Sequence, residues 1–182
     1  MNKSWLALLR GINVGGNNII KMAELREALI QAQLENVRTY IQSGNVLFES
    51  PKRSTKSSLE KKIRAVIEKT FSLDPSVLVL SHEEFTEAVA QNPFSVDSHE
   101  PKTVHFFFLA KQPKTVAWNR FDELAIDSER YELKGKVLYF LAPDGLARSK
   151  LAATMDRLVG VAATGRNLRT VNKIEEMFSA AS

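Results

Sequence analysis

The residues best suited to chemistry lie in three short stretches: Arg10-Gly-Ile-Asn-Val-Gly-Gly16, Gln42-Ser-Gly-Asn45 and Thr164-Gly-Arg-Asn167. Each joins glycine and asparagine at what reads as an element boundary, with a cation in or near it. Glycine lets backbone N–H groups converge on a ligand, and a helix N-terminus adds free donors and a positive dipole end. Arginine contributes a planar, permanently charged fork that matches phosphate or carboxylate. The expected chemistry is therefore the holding of an anion. The candidate ligand-binding residues are Arg10, Asn13, Gly15, Gly16, Ser43, Asn45, Lys150, Arg166 and Asn167, with Asn17, Arg148 and Ser149 beside them. None of these side chains has an evident reason to titrate near neutral pH, so no catalytic residue is assigned. Any catalysis would rest on electrostatic stabilisation of an anionic transition state.

Other motifs carry less. RGINVGG has neither the GK[ST] of a P-loop nor the GxGxxG of a dinucleotide site, and no cofactor is expected. Ser58 and Lys61 have Ser-x-x-Lys spacing, but on a polar helix start that reads as a solvated face. His82, His99 and His105 show no metal-ligand spacing, so no metal is expected. Asp122, Glu123, Asp127 and Glu129 read as a solvated turn at a helix end. The 182 residues include no cysteine, which removes disulfides, thiolate zinc sites and cysteine nucleophiles. A net charge of +4, from 25 basic and 21 acidic residues, is only a mild lean towards anionic partners. No apolar run approaches the ~20 residues that span a bilayer, and the chain enters a strand pattern at once. The protein is expected in the cytoplasm, away from membranes.

The elements that must position the three stretches can be read in order. WLALLR at 5–10 has the apolar density of a central strand, and Met22, Leu25, Leu29 and Ile30 recur at helical spacing over 22–34. VRTYIQ and NVLFES flank Ser43-Gly44 as a hairpin. Leu59, Ile63, Val66 and Ile67 mark a second helix, which Asp74-Pro75 separates from strand SVLVLS. Ser81 with Glu84 three residues on has the form of a capping box opening a helix over 81–91. The pattern then repeats: strand TVHFFFLA, helix near 114–125, strands near 129–134 and at VLYFLA, helix 149–158, a short strand near 159–163, and a last helix from Thr170.

Two βαββαβ runs imply an α+β protein of two tandem ferredoxin-like units with antiparallel sheets plus a C-terminal helix, the alternative being one continuous mixed sheet. The boundaries expected are 1–81 for the first unit, 82–102 for a connecting helix and linker, and 103–182 for the second unit with the terminal helix. In such a unit the first strand lies between the third and fourth, so RGINVGGNN and QSGN share one edge, as do PDGLARSK and TGRN. A composite cleft is expected, in which Arg10, Asn13 and Asn45 face Arg166, Asn167 and Lys150. The ligand would be a small phosphate- or carboxylate-bearing molecule. Two alternatives are an enzyme acting on a phosphorylated or nucleotide-like molecule, and an RNA-binding module using the sheet face. The second would use Trp5, Phe48, Phe106, Phe107, Phe108, Tyr139 and Phe140, although the aromatic RNA-binding signature is missing from SGNVLF.

With LLRGINVGG, RTYIQSGNVLF, Asn92-Pro-Phe94, Arg148-Ser-Lys150 and TGRNLRTVNKIEEM in view, the chain resembles the bacterial domain of unknown function family 1697 over nearly its whole length. The resemblance implies no activity. Members commonly carry tryptophan after the arginine and asparagine of the last motif, where this chain has Leu168. Leucine would remove a stacking ring if that position meets a ligand, or repack the core if it does not.

Overall fold

The computed structural model describes residues 2–94 and 98–180; residues 95–97 of the expected 82–102 connection lie outside them. The described chain is α+β, with two four-stranded antiparallel sheets and seven α-helices. Its contacts fall into two compact units. One holds residues 1–87 together with 174–182, and the other holds residues 88–173.

In the first unit the strands are β1 (Asn2–Arg10), β2 (Glu35–Tyr40), β3 (Asn45–Pro51) and β4 (Ser76–Ser81), in the order β2-β3-β1-β4. Leu8 of β1 sits opposite Asn45 of β3, and Arg10 opposite Ser76 of β4. Trp5, Ala7 and Leu9 pack with Met22, Leu25 and Leu29 of α1 (Met22–Gln31) and Leu59, Ile63 and Ile67 of α2 (Lys56–Phe71). Leu6 and Leu8 on the opposite face are also shut off from solvent, which is why this strand reads as a continuous apolar run instead of an alternating one. Thr55 and Ser58 form a capping box that opens α2. The box expected at Ser81 is present too: its hydroxyl accepts from Glu84 N–H, and its own N–H donates to the Glu84 carboxylate at 3.0 Å, opening α3 (His82–Ala90).

The second unit has β5 (Val104–Leu109), β6 (Arg130–Lys134), β7 (Val137–Leu141) and β8 (Ala163–Asn167) in the order β6-β7-β5-β8. Phe107, Leu109, Leu138 and Phe140 pack with Phe121 of α4 (Trp118–Leu124), Leu151 of α5 (Lys150–Ala153) and Met155 and Leu158 of α6 (Met155–Val159). The last helix, α7, runs Leu168–Ser179.

Several boundaries differ from the sequence reading. TGRN is not a loop. It is strand β8, four residues later than the strand expected near 159–163, because Gly165 serves close packing instead of a turn: a Cβ there would lie 3.0 Å from the Phe107 ring. The helix expected over 149–158 is two short ones. They meet at Thr154, whose hydroxyl donates to the carbonyls of Lys150 and Leu151 and competes with the helical ladder. The 114–125 helix begins only at Trp118, α1 stops at Gln31 where Gln33 turns left-handed, and α7 starts two residues before Thr170.

Candidate functional site

The loop leaving β1 is built as a small ribbon. Asn17 N–H donates to Val14 O at 3.0 Å and Asn13 N–H to Asn18 O at 3.1 Å, so the chain folds back on itself at Gly15-Gly16. Both glycines have left-handed φ, 58° and 79°, as a type I′ turn demands of its central pair. Asn18 donates its side-chain amide to Gly11 O at 2.8 Å, closing the base of the ribbon.

The hairpin between β2 and β3 is a four-residue turn, Ile41-Gln42-Ser43-Gly44, closed by the Tyr40–Asn45 pair, not the Ser43-Gly44 turn that the sequence pattern suggests. Gly44 is held against the central strand, where its carbonyl accepts Leu9 N–H at 2.8 Å. A Cβ on Gly44 would stand 2.6 Å from Leu9 Cβ and 2.9 Å from Ile12 Cδ1. The glycine is required by contact as well as by its φ of 80°. Asn45 is completely buried, and its amide donates to Tyr40 O at 3.1 Å and Ser43 Oγ at 3.0 Å.

Asn13 joins the two segments. Its Nδ2 donates to Ile20 O at 2.9 Å and Gln42 O at 2.8 Å, and its Oδ1 accepts Ile20 N–H at 2.8 Å. Loop and hairpin are therefore neighbours, fixed by one side chain whose donors and acceptor all engage backbone. Arg10 is exposed where β1 enters the ribbon, and Gly15 and Gly16 are exposed at its tip.

The remaining candidates belong to the second unit. Asn167 faces His105 across the β5–β8 ladder, and its Oδ1 accepts Thr170 N–H at 2.9 Å, capping α7. Arg166 lies opposite Phe106 and donates to Gly165 O at 2.7 Å; burial draws its guanidinium down to about 10, so it stays cationic at neutral pH. Lys150 is exposed at the start of α5, behind the buried cap Ser149. The last residues of β7 and β8 flank the start of β5, so the Pro143-Asp-Gly145 turn and Asn167 leave from the same end of the sheet. Leu168, where a stacking ring was considered, is 2% exposed and is a core residue of α7.

The histidines lie in three different settings. His82 stacks on Phe178, with ring centroids 4.3 Å apart, and His99 meets Phe94 edge-on. His105 is 7% exposed with no partner for Nε2, and burial pushes its imidazole down to about 4. No group of three or more histidine and acidic side chains among the described residues could hold a metal ion. No helix among them is long and apolar enough to cross a membrane. Trp5, Phe48, Phe106, Phe107, Phe108, Tyr139 and Phe140 are all 7% exposed or less, so none stands ready to stack on a base.

A family model described as protein of unknown function, DUF1697, matches residues 1–139 and so takes in both the glycine loop and the hairpin. The chain belongs to this family. Among solved structures, DUF1697 in this chain is similar to the conserved bacterial protein SP0830 from Streptococcus pneumoniae. The TM-score is 0.68 at 26% identity, over 97% of this chain and 99% of that one. No curated protein matches it. A feature the sequence pattern concealed in this DUF1697 chain is Ile41, whose φ is 46°: no rule of turn composition places a β-branched residue with left-handed φ at a hairpin tip.

Proposed function

We propose that the protein is a binding module of two ferredoxin-like units that holds an anionic, phosphate- or carboxylate-bearing ligand against the Arg10–Lys21 loop and the 41–44 hairpin. The strand orders support the fold assignment, since in each sheet the first strand of the unit lies between its third and fourth. The observation that carries the functional reading is the Asn13 junction, which fixes the backbone of both segments beside an exposed arginine. A ligand meeting a preset surface loses less free energy to ordering the protein.

The cations of the two segments are Arg10, Lys21, which pairs with Glu24 at 2.9 Å, and Arg38, which donates to Met177 O at 2.6 Å. Asn13, Asn45 and Asn167 act mainly as braces in this reading, leaving Arg10 and the exposed ribbon backbone to meet the ligand. Thermal-shift measurements over inorganic phosphate, sugar phosphates, nucleotides and carboxylates test it, because a ligand at 100 times its Kd stabilises by roughly 2.7 kcal/mol. Arg10→Ala is expected to lose the ligand shift, read against the variant's own melting temperature without ligand. A hit whose shift is untouched by Arg10→Ala refutes this placement, and turnover of a hit would make the protein an enzyme.

A further inference from the structure

The sequence pattern makes Asp122, Glu123, Asp127 and Glu129 a solvated turn, and the structure departs from that at one residue: Glu129 is 5% exposed. It closes the turn that leads from α4 into β6. Its N–H donates to Ile126 O at 2.9 Å, and its Oε2 accepts Ile126 N–H at 3.2 Å. The Arg130 guanidinium ties the same turn, donating through Nη1 to the carbonyls of Asp127 and Glu129 at 2.6 and 2.7 Å. The turn is thus held without the Asp127 carboxylate and without Glu129 Oε1, neither of which has a hydrogen bond or ion pair among the described residues.

Both groups line an open recess of about 530 Å³, together with Asp122, Ala125, Ile126, Arg130 and Tyr131. That is the size of a small-molecule site. Its aromatic wall is fixed in place: Tyr131 donates its hydroxyl to Asp122, and its ring lies near those of Trp118 and Phe121, with centroids 6.0 and 5.0 Å away. Ala125 and Ile126 add apolar lining, and Ile126 is 51% exposed. The charge of the recess is not cancelled by its neighbours. Glu123 and Glu132 on the flanking elements pair with Arg120 and Lys134, but Asp122, Asp127 and Glu129 form no ion pair among the described residues. The one cation in the lining is Arg130, already engaged by two carbonyls. A carboxylate nine-tenths out of water with an oxygen left over is costly unless a donor or a cation meets it.

We infer that this recess binds an aliphatic polyamine. Its ammonium groups meet Glu129 Oε1 and the carboxylates of Asp127 and Asp122, and its hydrocarbon chain lies along Ala125, Ile126 and the Tyr131 ring, whose π-system also attracts cations. A metal ion does not suit the site, because the three carboxylates do not form a group that could hold one. Negative charge spread along an apolar-lined recess calls for an elongated cation with more than one charged nitrogen. The site lies wholly in the second unit and does not depend on the anion reading of the first.

The test is calorimetric titration of the full-length protein with spermidine, putrescine and n-butylamine at an ionic strength of about 0.15 M, where diffuse surface attraction is screened. Spermidine should bind one to one, and n-butylamine, with its single ammonium, at least tenfold more weakly. The double variant Asp122→Asn, Asp127→Asn should lose at least tenfold in spermidine affinity. It should melt as wild type does without ligand, since both side chains are exposed and an asparagine oxygen can still accept from Tyr131. Glu129→Gln keeps an acceptor for Ile126 N–H and should also weaken binding; where it fails to fold, the double variant decides. Spermidine affinity indifferent to the double variant overturns the inference. So does competition by magnesium chloride beyond that of sodium chloride at equal ionic strength, or binding of n-butylamine as tight as that of spermidine. A dilysine peptide that binds more tightly than spermidine would place the ammonium groups on a protein partner and displace the polyamine. Any phosphate-induced melting shift that requires Arg10 should survive in the double variant, so failure of either site is read separately from the other.

Discussion

Gly44 and Gly16 share almost the same backbone conformation, φ 80° and 79°, yet only one is crowded. Replacing each by alanine separates the requirement for left-handed backbone from the requirement for close approach. Both variants meet the left-handed penalty of about 1–2 kcal/mol, partly offset by the stiffer unfolded chain that alanine gives, about 0.4–1 kcal/mol. Nothing lies within 4 Å of a Cβ at Gly16, so its loss ends there, at about 1 kcal/mol. At Gly44 the new methyl would sit 2.6 Å from Leu9 Cβ, an atom fixed to the central strand, and 2.9 Å from Ile12 Cδ1. Overpacking of a rigid neighbour adds about 1–3 kcal/mol, which brings Gly44→Ala to about 2–4 kcal/mol. Urea unfolding followed by circular dichroism reads the difference as a lower midpoint at an unchanged slope. Equal losses in the two variants would refute the claim that QSGN is shaped by its contact with β1.

Asn13→Ala removes three hydrogen bonds to backbone, and at about 0.5–1.5 kcal/mol each should destabilise by roughly 2–4 kcal/mol; a loss below 1 kcal/mol by urea unfolding would mean that the loop stands without its brace. His105 is held neutral, its pKa lowered from 6.5 to about 4 by burial. The unfolded chain therefore binds a proton that the folded chain refuses between those values, so this residue lowers stability as pH falls from 6.5 to 4, by up to about 3 kcal/mol, and adds no further slope below. His105→Leu should flatten that part of the stability curve, and an unchanged slope would point to another group. Glu83 is drawn down to about 2 by the Ser81 hydroxyl, its own backbone N–H and Lys3, so Glu83→Gln should trim acid sensitivity below pH 4.5 but not between 5 and 7. A difference already present at pH 6 would rule that cause out.

The sequence pattern was most legible where burial imposes a period. β4 was bounded residue for residue, and α2 was marked by the stripe Leu59, Ile63 and Ile67 that packs on the first sheet. The meeting of the RGINVGG loop with the QSGN hairpin followed from the placement of β1 beside β3. Legibility ended where one residue type serves opposite purposes. Gly165 looked like punctuation and is a flat place in a strand beneath Phe107, while Gly44 looked like a turn former and is also a contact. Asparagine posed the same difficulty: the positions of Asn13, Asn45 and Asn167 were plain, but whether an amide points at a ligand or at its own backbone depends on carbonyls supplied from elsewhere in the chain. Thr154, unremarkable inside an apolar pattern, divides a helix because its hydroxyl finds two carbonyls.

The ribbon at Val14–Asn17 has a practical use. Its ties to the rest of the unit run through Asn13, Asn18 and Gly11 at the base, while at the tip the Asn17 amide donates to Gly15 O at 3.4 Å and nothing lies within 4 Å of a Cβ at Gly16. Extra residues between these two glycines would lengthen the tip and leave the Asn13 junction and the Gly44–Leu9 bond in place, since loop closure grows only slowly more costly with length. The same position could carry a fluorophore or an affinity tag within reach of whatever approaches Arg10, turning a short turn into a reporter for occupancy of the neighbouring surface.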